Sequence, residues 1–359
     1  MPTRSDVNAR AAILRAGFER HGAQVVEPPI LQPADTLLDL YGEDIRARAY
    51  VTSDALRGEQ MLRPDFTVPV VQMHMAHGAD PARYTYAGEV FRRQERDPNR
   101  ANEYVQVGFE VFERDDPAAS DAEVFALIAQ ALGDLPVRAV TGDIGMLMAV
   151  VEGLNTTAIR KNALMRHIWR PRRFRALLDQ YAGRKPISPA REALLVGGVE
   201  CPAPLVGARR QHEIDARIAV LRADAKEPPI AAKDLDLIDA LLDIAAPLPD
   251  ALARLHDLSV DLPAILPAVA RVAARKEALK ARGVDVGTLM FDANYGRTSM
   301  EYYDGFVFGF RAIGRADLPP LATGGRYDAL TRRLGDGREI PAVGGVMRPG
   351  IMLVLEEGQ

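Results

Sequence analysis

The sequence predicts an α+β fold, an antiparallel sheet flanked by helices with a helical insertion, and three observations carry that reading. From Tyr50 to Phe112 the chain is rich in Val, Tyr, Phe and Thr, with turn signals between the runs, the pattern of several antiparallel strands. From about Asn162 to Gly283 the composition shifts to Ala, Leu and Arg, and Pro186, Pro202, Pro228, Pro247 and Pro263 punctuate candidate helices. Strand signals then return from Leu289 to Phe310. The 359 residues therefore divide into a discontinuous core, residues 1–160 and 284–359, around a mainly helical insertion, residues 161–283.

Taken in order, Ser5 and Asp6 are placed to cap a first helix whose Val7, Ala11, Leu14 and Phe18 recur at helical spacing, with Gly22 to end it. A short β-prone run, Val25 to Glu27, is broken by Pro28 and Pro29 and followed by an acidic stretch around Leu38 to Ile45. The most informative strand is Tyr104 to Phe112. Val105, Val107, Phe109 and Val111 give it one apolar face, while Gln106, Gly108 and Glu110 line the other. Gly108, between two polar residues, leaves room for something to lie against the backbone. Ser120 and Glu123 form a capping-box pattern for a helix carrying Val124, Phe125, Ile128 and Leu132. Thr323 to Tyr327 reads as a glycine-rich turn before a last helix and strand.

Composition narrows the function classes. With 45 Lys and Arg against 49 Asp and Glu, the formal net charge of −4 gives no global reason to expect a nucleic-acid or membrane partner. Cys201 is the only cysteine, so no internal disulfide and no cysteine cluster for a metal is available, which fits a reducing, cytoplasmic compartment. His74, His77 and His167 lack metal-ligand spacing, and neither a metal nor a cofactor is expected. The N-terminus lacks a signal-peptide pattern, and no apolar run is long enough to span a bilayer. The basic run Arg160 to Arg175, with seven Arg or Lys and no acid, is assigned no chemistry.

Three segments carry chemistry. In LRPDFT, residues 62–67, an acid and a hydroxyl two apart point the same way if the segment is extended, and together they suit an ammonium group. In the stretch from Tyr84 to Glu110, arginines on one arm of a hairpin face a carboxamide and a carboxylate on the other, an arrangement able to hold a zwitterion. In MEYYDGFVF, residues 300–308, two adjacent tyrosines would point to opposite faces of a strand.

With PPIL at 28–31, YAGEVFRRQ at 86–94, QVGFEVF at 106–112, GGRYDAL at 324–330 and PAVG at 341–344, these segments resemble, in order and over nearly the whole chain, the histidyl-tRNA synthetases and their catalytically silent relatives. The resemblance implies the class II aminoacyl-tRNA synthetase core, whose members usually pair through the first motif. It implies histidine-binding residues by position: Asp65, Thr67 and Gln106 on the amino group, Glu110 with Tyr302 or Tyr303 on the imidazole, and Arg92 facing carboxylate or phosphate. A carboxylate and a phenol can satisfy the donor and the acceptor of an imidazole. Where the family usually has Glu, position 65 is Asp, one methylene shorter.

The sequence departs from the enzymes where ATP would be handled. The family's arginine three residues before the acid of its tyrosine motif is Thr298 here, with Arg297 one place off. Gln94 stands where a Glu touches adenine, and Ile351 where an arginine stacks on it, with Arg348 three residues early. No anticodon-binding domain of the kind the enzymes carry after the core is expected in this chain. This pattern resembles the regulatory subunits of ATP phosphoribosyltransferase, which implies a non-catalytic chain, a short-form catalytic subunit and free L-histidine as partners, and a self-dimer inside a hetero-oligomer. The alternatives at this point are a truncated synthetase relative that adenylates histidine or another acceptor, and a histidine-binding module serving another enzyme.

Overall fold

Long-range strand pairing dominates the architecture of the computed structural model, which describes residues 2–35, 48–94, 100–197, 204, 206–298 and 301–358. Cys201 and the acidic stretch around Leu38 to Ile45 lie outside the described residues. Among the described residues the strands are β1 (Gln24–Val25), β2 (Leu31–Pro33), β3 (Val51–Asp54), β4 (Gly58–Leu62), β5 (Ala82–Phe91), β6 (Glu103–Phe112), β7 (Val137–Asp143), β8 (Ala245–Pro247), β9 (Met290–Asp292), β10 (Phe306–Ala312), β11 (Ala322–Arg326) and β12 (Ala342–Met347). Nine form one sheet in the order β1-β5-β6-β12-β11-β10-β7-β9-β8, and β2-β4-β3 form a small second sheet.

The expected antiparallel sheet is present, with two parallel pairings, β1 with β5 and β7 with β9. Its centre is the run β5-β6-β12-β11-β10, antiparallel throughout. One face of that centre packs against the first helix and the helix Pro117–Leu132: Phe18 stacks on Phe109 at 5.2 Å, and Phe125 meets Phe306, Phe308 and Phe310. The odd positions of β6 therefore face the helical layer, as alternation requires. The stretch between β7 and β9 is mainly helical, but β8 joins the main sheet beside β9, and the helix Leu266–Ala281 reaches back to the core through Arg275, which pairs with Asp121 at 2.7 Å and Asp143 at 3.1 Å.

Several local expectations change. The first helix is capped by Thr3, whose hydroxyl and backbone exchange hydrogen bonds with Asp6, rather than by Ser5. The helix after β6 begins at Pro117 with Asp116 accepting from Ala119 N at 2.9 Å. Ser120 and Glu123 thus lie inside it, and Glu123 instead forms a bidentate pair with Arg83. Within the predicted run of strands, Thr67–His77 is a helix. It is buried on most sides, so its apolar residues show no helical stripe, and Pro69 sits in the first turn, where its missing N–H breaks no intrahelical bond. The glycine-rich Thr323 to Arg326 is not a turn but a central strand, laddered to β10 and β12. The two tyrosines of MEYYDGFVF lie in an irregular loop before β10, not on a strand.

Candidate functional site

The even face of β6 forms the floor of the site. Gln106 and Glu110 point to the side of the sheet away from the helix Pro117–Leu132, and both are buried, at 0% and 1% exposure. The register sets Tyr86 of β5 opposite Gly108 and Gly344 of β12 opposite Glu110. A β-carbon at 108 would overlap the Tyr86 ring, and one at 344 would overlap the Glu110 carboxylate. What occupies the room left by Gly108 is therefore the protein's own phenol. Phe66 stacks on that ring at 4.2 Å, and the Arg63 guanidinium covers Phe66 while donating to the carbonyls of Glu89 and Pro28.

Glu110 is the hub. Oε1 accepts from Tyr86 at 2.7 Å and Thr67 at 3.2 Å, and Oε2 accepts from Tyr327 at 2.6 Å. Burial pushes its carboxyl up to about 7, against the three hydroxyl donors, which favour the ionised form. Burial also holds the Tyr86, Tyr302 and Tyr327 phenols well above their usual range, with Glu110 adding to it in all three and Asp65 at Tyr86 and Tyr302, so they remain donors at neutral pH. Tyr302 and Tyr303 are both buried, with ring centroids 4.9 Å apart at 69°. Tyr302 also meets Tyr327 edge-on at 6.2 Å. Opposite orientation, which adjacent strand residues would have, does not apply because the segment is not extended.

Asp65 and Thr67 reach the same place by another route than a strand: the chain turns at Phe66 into the helix that Thr67 begins. Asp65 is 2% exposed, and its Oδ2 lies 3.6 Å from Arg92 Nη2, while Arg92 Nε donates to the Pro64 carbonyl at 2.7 Å. The Asp65 charge contributes to the raised proton affinity of Glu110, Tyr86, Tyr302 and Tyr303. The seven expected residues thus share one face of the sheet. Tyr86 and Tyr327, which the residue-by-residue expectation left out, complete the hydroxyl ring around Glu110. Both lie inside the YAGEVFRRQ and GGRYDAL segments, but only strand register and the start of a helix turn them toward Glu110.

Gln106 differs from its neighbours. Its Oε1 and Nε2 are both buried and neither has a hydrogen-bond partner. A carboxamide held so, with a donor and an acceptor unused, carries the desolvation cost that a ligand with matching groups would relieve.

The arginines compared with synthetase positions are engaged differently. Arg297, 3% exposed, donates to the Ile168 carbonyl at 3.1 Å and Asn294 Oδ1 at 3.0 Å and lies over the Phe174 ring. Burial alone lowers its proton affinity to about 10. Residues 293–298 form turns, so the face-switching parity of a strand does not govern its direction. Arg348 donates to the Pro320 carbonyl at 2.8 Å and to Thr323 Oγ1 at 3.3 Å. Gln94 binds back to its own hairpin, through Asn102, Ala101 and Arg92. A separate groove of about 960 Å³, lined by Phe125, Gln130, Arg138, Arg282 and Phe310 among others, shares no residue with the hydroxyl ring.

The model of the family described as histidyl-tRNA synthetase matches residues 3–200 and 207–349. A protein of Brucella anthropi named ATP phosphoribosyltransferase regulatory subunit is 32% identical over 357 residues, covering 92% of this chain and 93% of its own length. The chain belongs to the histidyl-tRNA synthetase-like family of ATP phosphoribosyltransferase regulatory subunits. The Brucella canis protein of the same name matches it to the same extent. A Bacillus halodurans structure titled ATP phosphoribosyltransferase regulatory subunit/histidyl-tRNA synthetase superposes with a TM-score of 0.69 at 21% identity, covering 98% of this chain and 79% of that one. Histidyl-tRNA synthetase from Nostoc superposes with a TM-score of 0.65 at 18% identity, covering 98% and 72%. These two likenesses establish the synthetase-like fold shared by the family. Among the described residues, no helix is long and apolar enough to cross a membrane.

Proposed function

We propose that this chain is the non-catalytic regulatory subunit of an ATP phosphoribosyltransferase, required for activity of a short catalytic subunit and for feedback regulation by histidine at the first step of histidine biosynthesis. Its ligand is free L-histidine, bound on the even face of β6. The observation that supports this most directly is the buried, unpartnered carboxamide of Gln106 beside the hydroxyl-ringed Glu110. Asp65, Thr67 and Gln106 hold the ammonium, and Arg92 the carboxylate. A carboxylate offers about four acceptor sites, and three at Glu110 accept internal hydroxyls, so one remains for an imidazole N–H. Tyr302 or Tyr303 serves the other ring nitrogen.

Adenylation would require fixed cations around a developing phosphate charge. Arg348 instead spends donors on a carbonyl and a threonine, and Arg297 spends Nε and Nη1 on a carbonyl and an asparagine with Nη2 buried and unpartnered; the engaged donors support a binding role without chemistry. In this reading the core spans residues 1–160 and 284–359, residues 161–283 are an insertion, the chain pairs with itself inside a cytoplasmic hetero-oligomer, and histidine alters activity by binding one assembly state better than another.

Two measurements test it. Titration calorimetry on the purified chain should show one L-histidine per chain, and addition of the chain to a short-form catalytic subunit should raise phosphoribosyltransferase activity and make it histidine-sensitive. Histidine-dependent exchange of pyrophosphate into ATP by the chain alone would refute the regulatory reading in favour of an adenylating enzyme.

A further inference from the structure

The loop that carries the two tyrosines hangs between two parts of the chain. On the core side, Asp304 N donates to the Arg326 carbonyl at 3.1 Å, and the Asp304 carboxylate accepts from Asp328 N at 3.1 Å and Ala329 N at 2.6 Å, capping the helix Asp328–Leu334. On the other side, two residues of the basic run reach it. Trp169 Nε1 donates to the Tyr303 carbonyl at 3.2 Å, and Arg170 Nη2 meets Glu301 Oε1 at 3.1 Å. Both belong to the short connection between the helices Ala158–Met165 and Pro171–Tyr181. Tyr302 and Tyr303 therefore sit between anchors in different elements.

The connection is unevenly satisfied. His167 Nδ1 and Arg170 Nε are buried without a hydrogen-bond partner, on either side of Trp169. Buried nitrogens without a partner are uncommon and carry a desolvation cost. The opposite anchor has no such deficit, since both Asp304 oxygens accept backbone N–H groups. The loop thus has one fully satisfied end and one under-satisfied end, and the latter belongs to the helices.

We propose that Trp169 and Arg170 are positioning residues that couple the placement of the helices between Ala158 and Tyr181 to the tyrosine side of the ligand cleft. Ordering of Tyr302 and Tyr303 by a ligand tightens the grip of this connection, and displacement of the helices loosens the tyrosines. The basic run thereby acquires a task that its charge pattern does not reveal, acting through the main chain of Tyr303 and the carboxylate of Glu301. Coupling of this sort is reciprocal: what the helices do to ligand affinity, the ligand does to the helices. The inference rests on the histidine-binding reading above.

The test uses the full chain with L-histidine as the probe. Hydrogen exchange across residues 158–181 is followed with and without histidine, and calorimetric affinity is measured for wild type, Trp169→Phe, Arg170→Ala and Arg170→Lys, with the ligand-free melting midpoint as a control for folding. The expected result is slowed exchange at 158–181 on binding, at least fivefold weaker affinity and no such protection in Trp169→Phe and Arg170→Ala, and partial rescue in Arg170→Lys, whose ammonium still reaches Glu301. Wild type that binds histidine without any change in exchange at 158–181, or folded variants that bind as tightly as wild type, would overturn the coupling while leaving the pocket intact. A wild type that binds no histidine removes the pocket reading and the coupling together.

Discussion

Two groups of polar side chains spend most of their hydrogen-bonding capacity in different ways. Around Glu110, hydroxyls from Thr67, Tyr86 and Tyr327 converge on one carboxylate from three elements, and Gln106 is left with a donor and an acceptor unused. Arg297 and Arg348 turn to carbonyls and side chains of their own chain, with Arg297 Nη2 left buried and unpartnered. The residue types of a synthetase are partly present in both groups. The difference teaches that retention of a residue type is weak evidence for retention of its task, and that a buried side chain with both its donor and its acceptor unmet, as at Gln106, points to a ligand more strongly than a single unpaired nitrogen does.

The largest expected effect breaks the first group at its hub. Glu110→Ala should lower stability by roughly 3 kcal/mol, because each buried hydroxyl left unpaired costs about 1–3 kcal/mol and the lost burial penalty of the carboxyl offsets part of it. Denaturant unfolding measures this, and an unchanged midpoint would mean that the hydroxyl ring is not a cooperative unit. A smaller effect is expected from the pH dependence of the loop anchor. Burial, with the nearby Asp328 charge, raises Asp304 from 3.8 to about 7, so the folded state holds its proton more tightly than the unfolded one. That contribution is complete below about pH 4 and is lost as pH rises through 7; Glu110 acts in the same direction. The melting midpoint should therefore fall from pH 5 to pH 8, and Asp304→Asn should flatten the fall, by roughly 2.5 kcal/mol at most over that window. A slope identical to wild type would remove Asp304 from the account.

The smallest effect on stability is the sharpest on function. Gln106→Leu removes an unsatisfied carboxamide at nearly constant volume, so unfolding should be unchanged or shifted by less than about 1 kcal/mol, in the stabilising direction. Histidine affinity should fall by about 1–3 kcal/mol in calorimetry. Loss of stability without loss of affinity would show that Gln106 serves the fold and not a ligand.

Much of the site was legible because β6 alternates cleanly: Gln106 and Glu110 on one face follow from period two alone. The resemblance then supplied Asp65, Thr67, Arg92 and the tyrosine pair, which no spacing rule links to β6. Three things were hidden for physical reasons. The helix Thr67–His77 is enclosed, so its Val and Thr residues read as strand and no polar stripe contradicts them. Tyr302 and Tyr303 lie in a loop shaped by contacts with Trp169 and with Asp328, far away in sequence, and local parity could not place them. Tyr86 and Tyr327 become partners of Glu110 only through strand register and a helix start, which are tertiary facts.

Gly108 and Gly344 give the floor of this site an unusual rigidity of composition. The ring of Tyr86 and the carboxylate of Glu110 already fill the space where any larger residue would begin, so even a single methyl at either position would dislodge them. Gradual retuning of the cleft from beneath is thereby closed to natural variation. Any change in the shape of this cleft would have to enter from above, through the loop of Glu301 to Asp304 and the residues that hold it.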